Sequence, residues 1–151
     1  MSARRHTFRF VAWAALGLYQ IVLLYNQYAS RGTAWHYLVH SMIGAGLGLA
    51  VAATISIVRK KPSNPWLWAL IFQFVSVAPD YIFGLFRMPH DRSMDWYLGH
   101  ILIHTAPLPL LAALLIFIIG GWAWYAASSY RNYKLAVILV VICLGTWALD
   151  L

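Results

Sequence analysis

Between Arg31 and Arg59 the chain carries no Lys, Arg, Asp or Glu, and comparable apolar runs recur along its 151 residues. A backbone can lie in hydrocarbon only if it satisfies its own hydrogen bonds, which leaves helices or closed barrels. Barrel strands alternate apolar and polar residues. These runs are continuously apolar, so they predict helices. About 20 apolar residues cross a bilayer. Five runs qualify or nearly do: 8–28, 36–58, 66–86, 98–127 and 135–151. The expectation is a single all-α integral membrane domain, 1–151, built as a bundle of about five transmembrane helices.

Composition agrees. The chain is 62% hydrophobic and 10% charged, whereas soluble domains lie nearer half apolar and a quarter charged. The net charge of +7 does not imply nucleic acid, because the basic residues sit in short tracts between apolar runs. That placement suits lipid head groups and topology signals. The run 8–28 follows a basic head and has no small-residue cleavage site after it, so it predicts a retained first span rather than a signal peptide. With a cytoplasmic amino end, Arg4, Arg5, Arg9, Arg59, Lys60, Lys61, Arg131 and Lys134 lie inside, and Arg31, Arg87 and Arg92 outside. That bias favours this orientation, with the carboxyl end outside. The setting expected is a prokaryotic inner membrane. Aromatic belts follow, with Trp35, Tyr37, Trp96, Tyr97 and Trp147 at the outer rim and Trp66, Trp68, Trp122, Trp124 and Tyr125 at the inner. Cys143, the one cysteine, reads as a small buried hydrophobe.

In the second run, Gly44, Gly48 and Ala52 recur every four residues. This spacing predicts a close packing face within the bundle. A homodimer contact, or a place in a larger membrane complex, is the alternative use.

The polar residues converge on one rim. On the expected topology, all four aspartates and five of the six histidines fall at the outer end; His6 is the exception. His36/His40 and His100/His104 are spaced i, i+4, which puts each pair on one helix face. That is a chelating geometry for zinc or another divalent metal. Asp80 follows Pro79 near the end of the third run and supplies either an oxygen ligand or the base that takes a proton from water. Pro79 should bend that helix or break its ladder. Pro107 is read in the first turn of the lipid-spanning part of the fourth helix, with Thr105 as cap. The principal candidates are His40, Asp80, His100 and His104. His36 opens its helix and reads first as a wet interfacial residue. His90, Asp95 and Asp150 are further candidates, although Asp91 and Asp95 also balance Arg87 and Arg92 in a loop. Arg87 and Arg92 are placed to steer an anionic head group.

The motifs "HYLVHSMIGAGLG", "VAPDYIFG", "GHILIHTAPLPLL" and "TWALDL" together resemble the YdjM-like family of inner-membrane metal-dependent hydrolases over residues 35–151. The resemblance implies His40, Asp80, His100, His104 and Asp150 as site residues. It departs from the family where Ile82 stands in place of a second acid and where an arginine-glycine segment is absent. The order His, Asp, His-x-x-x-His is also similar to membrane zinc amidohydrolases of the ceramidase and progestin-receptor type. The function expected is a membrane-embedded zinc hydrolase acting on a lipid or amphiphile at the outer rim, with membrane lipids as its partners. The alternatives are a non-catalytic accessory or scaffold subunit and a haem-binding electron-transfer subunit. A transporter is disfavoured because the charges crowd one rim, away from the midplane.

Overall fold

The computed structural model describes residues 33–86 and 108–149, together with Val11, Ala15, Leu18 and Tyr19. Those four isolated residues are helical and belong to the first apolar run. Four further helices follow: α1 (Thr33–Arg59), α2 (Pro65–Phe86), α3 (Pro109–Ser128) and α4 (Tyr133–Leu149). Among the described residues there is no strand. Among the described residues, two segments are long and apolar enough to cross a membrane, Tyr37–Arg59 of α1 and Leu110–Ser128 of α3; α4 is a shorter apolar helix.

The boundaries follow from local chemistry. α1 ends at Arg59, and Lys60 then turns left-handed with φ 53°, the usual way to leave a helix although Gly is the cheaper residue for it. Pro65 opens α2 at the first helical position, where its missing N–H costs nothing. α4 is capped by Asn132, whose Oδ1 accepts the Leu135 N–H at 3.2 Å. α3 begins later than expected. Its N-cap is Leu108, with no side-chain cap, and Pro109 takes the opening position. This corrects the assignment to Pro107 and Thr105. A residue before proline is pushed out of the α region, and Leu108 sits at φ −136°, ψ 68°. α2 continues through Pro79 as one helix. The ladder loses only the donor that would have met the Val75 carbonyl.

α1 is the central helix. It packs against α2, α3 and α4, and α3 packs against α4. Its glycines divide between two partners. A methyl group on Gly44 would fall 2.6 Å from Phe72 O and 2.8 Å from Gln73 Cα, and one on Gly48 would strike the Trp68 carbonyl, so this face lies on α2. Half a helical turn away, a methyl on Gly46 would fall 2.7 Å from Ile116 O, and Gly120 of α3 meets the Gly46 carbonyl. The small-residue face read in the sequence is therefore covered by α2 within the chain, and a second tight crossing lies behind it.

Val39, Ile43, Leu47 and Ala50 of α1 form the core with Ala113 and Ile116 of α3 and Cys143 of α4. Cys143 is fully buried, its Sγ donating to Ile116 O at 3.5 Å, as expected of a buried hydrophobe. Nearer the α1–α2 turn, alanines take over: Ala53, Ala123, Ala126, Ala127 and Ala136. There a serine network ties three segments. Ser56 Oγ donates to Ala52 O at 2.9 Å, accepts the Ser63 N–H at 3.0 Å and lies 3.2 Å from Ser128 Oγ. Ser63 Oγ donates to the same Ala52 carbonyl at 2.6 Å, and Trp124 Nε1 donates to Ser63 O at 3.3 Å. Outward faces are apolar: Leu111, Leu115 and Ile118 of α3 and Val137, Ile138 and Val141 of α4 are exposed.

Two predictions follow from this packing. Gly46→Ala and Gly48→Ala should each lower stability by about 1–3 kcal/mol through overpacking against backbone. Gly145→Ala meets nothing within 4 Å and should be neutral or gain up to about 1 kcal/mol of helix preference. Thermal unfolding of the three variants in one detergent checks the contrast. Ser56→Ala should cost about 1–3 kcal/mol by orphaning buried donors, whereas Thr54→Ala, an exposed residue whose hydroxyl bonds only its own helix, should change little.

Candidate functional site

The α1–α2 crossing is polar on the flank beyond its glycines. α1 presents Tyr37, His40, Ser41 and Gly44, spaced i, i+3, i+4 and i+7; α2 presents Gln73, Ser76 and Asp80, spaced i, i+3 and i+7. Both patterns place their residues on one helix face. The helices run antiparallel in register, with Gly48 opposite Trp68 and Gly44 opposite Gln73 and Ser76. One turn before Gly44 is His40, and one turn after Ser76 is Asp80. The tight crossing thus carries these two side chains to each other.

His40 Nε2 lies 3.5 Å from Asp80 Oδ2, with the side chains 0% and 3% exposed. Burial at this level is costly for ionisable groups, which face a partner or a cavity when they occur. The separation exceeds the usual hydrogen-bond range of about 2.7–3.2 Å. A second polar contact joins Gln73, two turns before Asp80 on α2, to residues flanking His40 on α1. Gln73 Nε2 donates to Tyr37 Oη at 3.1 Å and to Ser41 Oγ at 3.2 Å. Gln73 and Ser76 are both buried.

The sequence-predicted site divides accordingly. His40 and Asp80, forty residues apart in the chain, meet. His36 lies on α1 one turn before His40, and its side chain is outside the described residues. Arg87, His90, Asp91, Arg92, Asp95, His100, His104 and Asp150 also lie outside them. Among the described residues, no group of three or more His, Cys, Asp or Glu converges. Gln73, Ser41 and Ser76 were not anticipated, and Tyr37 was assigned to the aromatic belt. The available signal was Gln73 itself, a primary amide in the middle of an apolar run and two turns before Asp80 on the same face. No family model, curated protein or solved structure matches the chain.

The Gln73–Tyr37 contact is testable by a double-mutant cycle with Gln73→Leu and Tyr37→Phe. The coupling expected is about 0.6 kcal/mol, the average for polar contacts between helices in a membrane, measured by reversible unfolding in mixed micelles. A coupling indistinguishable from zero would remove this contact from the seam.

Proposed function

We propose that the chain is an integral membrane bundle of five spans, with its amino end cytoplasmic, and that the His40–Asp80 pair is the nucleus of a metal-dependent hydrolytic site acting on a lipid or amphiphile. The exposed apolar faces of α3 and α4 support the membrane reading, since monomeric soluble proteins rarely expose large contiguous apolar surface. The distribution of basic residues supports the orientation.

The observation that carries the site is the 3.5 Å separation of two buried donors from different helices. Two donors each about 2.1 Å from a tetrahedral zinc ion stand about 3.4 Å apart. The pair is spaced as adjacent corners of such a site would be, and the same distance lies within the range of a His–Asp ion pair. It makes half of a donor set. In this reading His100 and His104 supply the other half, as the His-x-x-x-His spacing and the family resemblance suggest. A divalent ion there supplies Lewis-acid polarisation of a scissile carbonyl or phosphoryl group. The chain's own part is to hold His40 and Asp80 in a dry seam, with Asp80 as ligand or proton acceptor, and to direct an anionic head group with Arg87 and Arg92.

A second reading has its own support. The Gln73 amide is met by Tyr37 and Ser41 within the protein, as in an interhelical latch. On that reading the chain is a non-catalytic subunit and His40–Asp80 is a further rung.

Elemental analysis of the detergent-purified full chain separates the two. The hydrolase reading expects about one zinc or other divalent ion per chain, lost together in His40→Ala, Asp80→Ala and His104→Ala. Folded protein without stoichiometric metal, including after incubation with zinc, overturns it and leaves the latch.

A further inference from the structure

α1 has a second flank, which shares Tyr37 and Ser41 with the polar seam and is otherwise apolar. A groove of about 850 Å³ runs along it, walled by α1, α2 and α3 and by Leu18 of the first apolar run. On α1 it extends from Tyr37 to Leu49, roughly 18 Å at 1.5 Å per residue. Neither His40 nor Asp80 borders it. Its polar corner, Gln73 with Tyr37 and Ser41, is hydrogen-bonded within the protein. The rest of the wall is almost wholly apolar.

The lining selects the occupant: outside one hydrogen-bonded corner the wall is apolar, which suits hydrocarbon. Leu18 already forms part of the wall, so the first run borders the groove. An elongated apolar groove of this kind suits lipid acyl chains.

The ends of the groove select the head group. Its far end is framed by Pro65 and Trp66, which open α2, and by Trp124 and Tyr125 in the last turns of α3. The two turns that begin or end there carry Arg59, Lys60, Lys61, Arg131 and Lys134. All five are exposed. The turns are joined where Lys60 Nζ sits 4.0 Å over the Tyr133 ring. The one described acid, Asp80, belongs to the seam at the opposite end of the bundle.

We propose that this groove binds the acyl chains of an anionic membrane phospholipid whose phosphate is held by the cations of the two turns. The proposal rests on the membrane-spanning reading and is independent of hydrolysis at His40 and Asp80.

The test is binding to the delipidated full chain, read as the thermal shift titrated with phosphatidylglycerol, with phosphatidylcholine of the same chains, and with inorganic phosphate. Phosphatidylglycerol should bind at least about tenfold tighter than phosphatidylcholine, and phosphate alone should give no shift. Each cation near an anionic head group is worth about fivefold, so Lys61→Gln with Arg131→Gln should remove the preference. Gly121 lines the groove, and a methyl there meets only Leu49 Cδ1 at 3.9 Å. Gly121→Phe should therefore abolish binding of both lipids, and Gly121→Ala should not. Equal binding of the two lipids to the unaltered chain overturns the proposal. So does phosphate reproducing the full shift, or Gly121→Phe that is helical by circular dichroism and still binds phosphatidylglycerol normally.

Discussion

The close approach of α1 to α2 across Gly44 and Gly48 is the constraint on which the other features depend. In lipid, apolar surface gains little by moving from hydrocarbon to protein, so helices associate through van der Waals packing and polar contacts. Both need short distances. Without a Cβ at Gly44, the α2 backbone comes within what would be 2.6 Å of that position. Only then do His40 and Asp80, each near one turn from the crossing, meet with almost no exposure. Gly46 and Gly120 do the same on the opposite side, where α3 closes over Ile43 and Leu47. One short glycine-rich segment thus sets both interhelical spacings.

Much of this was legible in the sequence. The apolar runs with their basic stops located α1 to within a few residues, because a charged tract cannot follow the chain into a packed apolar layer. The runs expected from 66 and 135 began within two residues of α2 and α4, although the capping chemistry of Pro65 and Asn132 was not read. The start of α3 was misread because Pro107 and Thr105 looked like a cap; the pre-proline restriction on Leu108 was the stronger rule. His40 and Asp80 were legible because ionisable groups are conspicuous in such runs. Gln73 was not, since a neutral amide has no charge partner to announce it and its acceptors lie about thirty residues away. The Ser56–Ser63–Ser128 contacts were invisible for a similar reason. Serines are common in turns, and only the tertiary fold brings these three within reach.

α1 therefore has two characters on one cylinder. Toward α2 it is glycine, hydroxyl and imidazole. Toward the groove it offers Leu38, Met42, Ala45 and Leu49. The hydrophobic periodicity of the run does not reveal this division, because serine, glycine and alanine are all tolerated in an apolar helix. The division appears only when the neighbours are known. It also keeps the two proposed ligands apart, with the inorganic ion on one flank and hydrocarbon on the other.

The serine network has a mechanical consequence. It fastens the last turn of α1, the connection into α2 and the end of α3 at a single level, with the Trp124 indole as an additional strut. Removing one serine there loosens three segments at once, because a single hydroxyl, Ser56 Oγ, is shared by all of them.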